Sequence, residues 1–392
     1  MNSNRATWPV LLTFLLATFV PHADELWADA CKDAVTAPPR DFVAACSATA
    51  ITEPYKLAWL ILARLCPLQS PTGNAAECEW PKWASFADTY PDDPDQRRPA
   101  WPTATSYPPP ALSPSCKYGD RKRYAYYPSD NPCEKIYDFR LDRQAFDYVV
   151  KNDLWYQEGL AASWTQRAEI DFPPEATALQ AAWKQIQADE KARYLWISLD
   201  EKSPTTGQPI VCGLTGLDVK SKILNDWFWL AFEHVDNPSR CDVIGCRDDF
   251  GQEPSIILPA PLSGKGYPAG RLTERLLELV PIGVTSVWRN YRLKGVQTSF
   301  TDAEGKPTLL GNSAPQLEGE FLPRAMSCMT CHSRASFDSK GEAMPGLPVV
   351  YGAPDPSWFF FDLAFSDVQY QQSNFIWSAA LDACPKTSKP GN

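Results

Sequence analysis

Twelve cysteines in a chain of 392 residues constrain this fold more than any other feature. Ten of them (Cys31, Cys46, Cys66, Cys78, Cys116, Cys133, Cys212, Cys241, Cys246 and Cys384) are spread along the whole chain. The other two, Cys328 and Cys331, stand three apart, directly before His332. An even remainder is what a disulfide set requires, and such bonds persist in oxidising compartments rather than in the cytosol. Ten cysteines allow about 945 pairings, so spacing points only to the short ones. Cys241 and Cys246 enclose four residues and are expected to pair; Cys66–Cys78 and Cys116–Cys133, each bracketing turn-rich sequence, come next.

The N-terminus agrees with export. Residues 1–23 carry Arg5, an apolar run from Val10 to Val20 and a closing Ala23 before Asp24. That run is shorter than the roughly 20 apolar residues a bilayer span takes, and it fits a signal peptide. The mature protein is therefore expected to be periplasmic or secreted by Gram-negative-type export, without a stable membrane span. A net charge of −10 argues against a nucleic-acid partner, which would attract a basic surface.

The hydrophobic pattern changes along the chain. "TEPYKLAWLILARLC" reads as a helix, with Thr52 as N-cap and Pro54 in its first turn. From Pro91 to Pro114 eight prolines leave only an extended connector. "LDRQAFDYVVKNDLW" reads as a helix capped by Asp142, and "TALQAAWKQIQADEKA" as another, rich in good helix formers. "RYLWISLD", "PIVCGLTGLDVKS" and "DWFWLAFEHVDNP" read as strands. "RLTERLLELV" returns to helix, and "SVWRNYRLKGVQTSFTDAEGKPTLLG" suggests strands around a turn at Glu304-Gly305. The mixture predicts an α+β fold with a central, mostly antiparallel sheet and surrounding helices.

Three chemistries use a close cysteine pair. A redox disulfide generally opens a helix next to a βαβ unit, which does not precede this pair, and it leaves His332 unexplained. Zinc needs four ligands, and the mature chain offers one other histidine, His234, and no second C-x-x-C. Covalent haem c uses all of Cys328-Met329-Thr330-Cys331-His332: two thiols for two vinyl groups, and an axial imidazole. One haem c per chain is the expectation, with His332 on the iron; Arg324 and Arg334 flank the motif either as partners of the propionates or as solvated surface charges. For the distal position, alternation puts His234 on the apolar face of Phe228, Leu230 and Phe232, and Met344 is a second candidate; the other reading of His234 is a buried structural histidine hydrogen-bonded to a carboxylate or a carbonyl. Met326 and Met329 lie too close to the motif to reach it.

The chain also resembles a family of bacterial secreted cytochrome c family proteins. The matching pieces are "YKLAWLILARL", the "WPKW" of Trp80 to Trp83, "FDYVVKNDLWYQEG", "LQAAWK", "DWFWLAFEHVDNP" and "SCMTCHSRA". Pro81 stands where that family's tryptophan pair brackets a glutamate. The resemblance implies haem and electron chemistry. The expected layout is a signal peptide at 1–23, a helical region with its connector at 24–115, a central α+β region at 116–320 and a haem-attachment segment at 321–392. The expected function is single-electron transfer to or from a redox partner protein that the sequence does not identify. The alternatives are a haem enzyme with an open distal site, peroxidase-like or oxidising a small nitrogen compound, and a haem-bearing ligand sensor or binding module.

Overall fold

All seven residues of the strand Phe228–His234 are buried, and the two largest cores of the described residues lie on its two faces. The computed structural model describes residues 30–103, 107–109, 113, 115–118, 129–204, 206–242, 244–257, 267–314, 317, 326–344, 352–353 and 370–386. The expected signal peptide and Arg324 lie outside the described residues.

In chain order come α1 (Pro39–Thr52), α2 (Pro54–Leu65), β1 (Ala84–Ser85), α3 (Phe86–Thr89), β2 (Asp138–Leu141), α4 (Arg143–Lys151) and α5 (Gln157–Gln166). Next are β3 (Thr177–Ile186), β4 (Trp196–Lys202), β5 (Pro209–Ser221), β6 (Phe228–His234), β7 (Cys246–Arg247), β8 (Gln252–Glu253) and β9 (Ile256–Ile257). The chain closes with β10 (Arg271–Leu272), α6 (Glu274–Leu279), β11 (Tyr291–Gln297), α7 (Cys328–Ser333), β12 (Ser336–Phe337), β13 (Gln371–Gln372) and α8 (Trp377–Asp382). Seven strands form an antiparallel sheet in the order β1-β2-β3-β5-β6-β11, with β4 added to β5. The fold is a mixed α+β one.

Because side chains alternate across a strand, a strand buried on both faces feeds two cores. Phe228, Leu230 and Phe232 of β6 enter the core shared with α1 and α2, where Leu57, Trp59 and Leu62 are fully covered. Trp229 and Ala231 enter the opposite core, made with α4, α5 and the C-terminal helices. Strand β3 follows the same rule. Its Leu179 and Trp183 face the first core and Ala178 the second. The helix expected over this stretch is thus a ten-residue strand: the local preference of Ala, Gln and Lys gives way to pairing with β2 and β5.

The described part of the proline-rich connector, 91–103, holds no helix or strand. Helix α2 starts with Pro54 at its first position, but Thr52 ends α1 and does not cap it; Glu53 sits between. Asp142 does cap α4, accepting a 2.9 Å hydrogen bond from the Ala145 amide. After β11 no second strand of a hairpin forms; the Asp302 carboxylate holds the amides of Glu304 and Lys306, and Gly305 takes the positive φ of 78° that the turn needs.

Five disulfides close the fold. Cys241–Cys246 and Cys66–Cys78 are bonded as their spacing suggests. Cys116 and Cys133 do not pair: Cys116 joins Cys384 and Cys133 joins Cys212, each with Cα atoms 5.5 Å apart. Cys31–Cys46 completes the set. The long-range bonds follow from the sheet, which brings distant segments together and leaves the local alternative unmade.

Candidate functional site

Cys328 and Cys331 are the two cysteines that do not belong to those five bonds. They occupy the first and fourth positions of α7, a six-residue helix. Residues three apart on a helix lie on one side of it, roughly 5–6 Å between Cβ atoms. Ser327 caps the helix by accepting from the Thr330 amide at 3.2 Å. Gln297, the last residue of β11, fixes the helix to the sheet: its amide nitrogen donates to Ser327 Oγ at 2.7 Å and its carbonyl accepts from the Met329 amide at 2.9 Å. The Cys328 thiol donates to the Leu310 carbonyl at 3.2 Å and is half-buried, whereas Cys331 is exposed. Trp377 of α8 donates to the Cys331 carbonyl at 3.0 Å, so the C-terminal helix holds this turn from the other side.

Beneath the pair lies Lys220. Val219 of β5 points into the first core, so Lys220 points into the second, and it is only 7% exposed. Its Nζ lies 3.4 Å from the Phe375 carbonyl and over the rings of Trp229 and Phe139, at 5.5 and 5.8 Å. Burial pushes the Lys220 ammonium down to about 7, and negative charge on Cys328 and Cys331 opposes that fall. His332 donates from Nδ1 to the same Phe375 carbonyl at 2.9 Å, and its ring packs on Trp229 at 4.8 Å. Burial, with Lys220 second, holds His332 well below the usual imidazole range, so it is neutral near pH 7. Arg334 is buried as well; burial lowers it, and Cys331 acts in the opposite direction. Two thiols, a neutral imidazole and a titrating amine therefore share one edge of the second core.

His234 is elsewhere. It is fully buried on the first face, where its ring stacks on Tyr194 at 3.8 Å and meets Tyr291 edge-on at 5.0 Å. Its Nε2 donates to the Arg193 carbonyl and its Nδ1 accepts from the Asp236 amide, both at 3.1 Å. The sheet lies between it and His332, whose neighbour Trp229 occupies the second face. Met344 is buried in the turn after β12, its amide bonded to the Ser336 carbonyl at 3.0 Å.

No protein-family model matches the chain, and neither a curated protein nor a solved structure does. The resemblance to cytochrome c family proteins is thus corrected, and the haem c reading with it. Ten cysteines serve structural disulfides, and among the described residues no group of three or more His, Cys, Asp or Glu is placed to hold a metal. The second histidine, which was to complete an axial pair, lies across the sheet. With the haem go the haem-binding C-terminal segment, the axial role of His332, the distal roles of His234 and Met344, the propionate roles of Arg324 and Arg334, and haem-based electron transfer or catalysis. Among the described residues no helix is long and apolar enough to cross a membrane.

Sequence reasoning found Cys328, Cys331 and His332 but missed Lys220, Trp229 and Phe375. A signal for Lys220 was present: in "LDVKS" it falls within an apolar, doubly buried strand, where a lysine is out of place unless it serves a neighbour.

Proposed function

We propose that this is an exported, disulfide-stapled protein whose site is a redox-responsive dithiol formed by Cys328 and Cys331. The observation that carries the reading is their placement three residues apart on one helical turn, with Cys331 exposed and Lys220 and Arg334 as charged neighbours. A set of five structural disulfides favours an oxidising compartment, where a further thiol pair meets disulfide partners. The exposed Cys331 thiolate attacks a sulfur of an incoming disulfide, and one half leaves as a thiolate that takes up a proton. Cys328 then attacks Cys331 in the mixed disulfide, closing a Cys328–Cys331 bond and releasing the second half as a thiol. The incoming disulfide is reduced by two electrons and the pair is oxidised by two. Positive charge at Lys220 favours the thiolate form that both steps require. The event is stoichiometric and acts as a switch: the bonded pair draws in the turn that Trp377 and Gln297 hold.

Peptide mapping of the folded protein tests this. After mild reduction, iodoacetamide should label both Cys328 and Cys331. After exposure to hydroxyethyl disulfide the peptide should instead carry a 328–331 bridge, two hydrogens lighter. In Cys328→Ser, Cys331 should stop at the mixed disulfide. The proposal fails if both thiols resist alkylation after reduction, or if the peptide carries another covalent group on these sulfurs.

A further inference from the structure

Away from the thiols, the β8–β10 ribbon, helix α6 and the start of β11 enclose a cleft of about 1000 Å3, at the upper end of the range typical of small-molecule sites. Four arginines line it, from four different places: Arg271 on β10, Arg275 on α6, Arg289 in the turn before β11, and Arg292 on β11. Three carboxylates line it too, and two have cationic partners. Glu253 pairs with Arg271 at 2.5 Å, and Asp249 pairs at 3.0 Å with Arg247, which is not among the lining residues. Among the described residues, what remains is Arg275, Arg289 and Arg292 against Glu274, an excess of two positive charges along the lining in a protein of net charge −10.

The three guanidiniums are held in place by backbone oxygens. Arg275 donates to Phe250 at 2.9 Å, Arg289 to Gly283 at 2.9 Å, and Arg292 to Ala269 and Arg289 at 2.8 Å. Behind the wall, burial first and then Arg240 push Arg292 down to about 10, with Asp248 acting in the opposite direction. A second, independent observation concerns Gln252. It lines the same cleft and is 2% exposed, and its Oε1 accepts no hydrogen bond among the described residues. A buried acceptor left without a donor is destabilising, and a donor brought to it recovers that loss.

We infer that this cleft binds a small hydroxylated organic anion. Its oxyanion group, phosphate or carboxylate, is held by Arg275 and Arg289, while Arg292, which also donates to the Tyr291 and Gly270 carbonyls and so keeps one N–H, adds charge behind them, and a hydroxyl donates to Gln252 Oε1. Fixed guanidinium forks suit planar and tetrahedral oxyanions, and a hydroxyl supplies the donor that Gln252 lacks.

Calorimetric titration of the whole protein with glycerol phosphate and, separately, with glycerate tests this. Saturable binding of either supports the site and identifies its oxyanion group. Arg275→Gln, at an exposed position, should weaken that binding at least tenfold while thermal melting stays unchanged. Arg143→Gln, on α4 and outside the cleft, should leave it intact. The inference is overturned if neither compound binds at 10 mM, or if Arg275→Gln binds as tightly as the parent.

Discussion

The two faces of the central sheet are built differently. The first face is packed with aliphatic and aromatic side chains, has three disulfides (Cys31–Cys46, Cys66–Cys78 and Cys133–Cys212) embedded in it, and buries His234 and the Asp248 carboxylate, which accepts from Trp59 at 2.9 Å. Its charged pair, Asp138 and Arg140, is matched at 2.8 Å. The second face buries Lys220 beside the thiols and, further along, Glu233 with Lys294 at 3.3 Å. Burial there also pushes Asp218, hydrogen-bonded by Asn312, up to about 7. The C-terminal segment that covers this face is tied down by one long bond, Cys116–Cys384. Both faces bury ionisable groups; the first holds them inside a core stapled by three disulfides, while the second gathers them around a cysteine pair. Such an arrangement is expected where chemistry rather than packing sets the residue types.

The largest expected effect concerns the single tie. Cys116→Ser/Cys384→Ser opens a bond that spans 268 residues, whereas Cys241→Ser/Cys246→Ser opens one that spans 5. In the chain-entropy picture the first change costs about 5 kcal/mol and the second about 2 kcal/mol. Urea unfolding at pH 7 measures both. The long-bond variant should also let iodoacetamide reach the half-buried Cys328 faster. Equal losses for the two variants would show that the C-terminal segment is held by packing alone.

A smaller effect is expected at Lys220. Its amine titrates near 7 when folded and at the ordinary 10.5 when unfolded, so the unfolded chain binds the extra proton between those values. The penalty is complete below pH 7 and fades as pH rises from 7 towards 10.5. Lys220→Met should therefore stabilise the protein by about 4 kcal/mol at pH 6 and about half that at pH 9. Unfolding free energies at the two pH values decide it. A destabilised Lys220→Met protein would mean that the lysine is needed to hold the Phe375 carbonyl.

Much of the first face is legible in the sequence. The apolar body of α2, the alternation of β6 and the Cys66–Cys78 bond all follow from local pattern, as do two features away from this face, the Asp142 cap of α4 and the Cys241–Cys246 bond. The second face is less so, because it is assembled from afar. Lys220, Gln297, Cys331 and Phe375 meet only once the sheet has formed, and no spacing rule links them. Strand β3 is illegible for a related reason: its residues favour a helix, and only pairing on both sides makes it a strand. The C-x-x-C-H pattern misled because it specifies one helical turn, which exists, without specifying what lies on its far side. His234, read as half of an axial pair, shows the limit of alternation: the rule gave its face correctly but could not tell that His332 lies on the other.

His234 offers the smallest and most specific effect. Burial, opposed by the Arg193 carbonyl and Asp236, pushes its imidazole from the ordinary 6.5 down to about 4. Between those values the unfolded chain takes up a proton that the folded one refuses. Stability from this residue is therefore complete above pH 6.5, falls as pH drops towards 4, and levels off below it. The loss is about 2–3 kcal/mol. In His234→Gln the side-chain amide can still donate to the Arg193 carbonyl and cannot be protonated in this range. The variant should lose less stability than the parent between pH 7.5 and pH 4.5, by that amount. Alkylation rates at Cys328 and Cys331 should stay the same, because the sheet separates the two sites. If His234→Gln alters those rates in a fully folded protein, the two faces are coupled, and the division between a stabilising face and a chemical one does not hold.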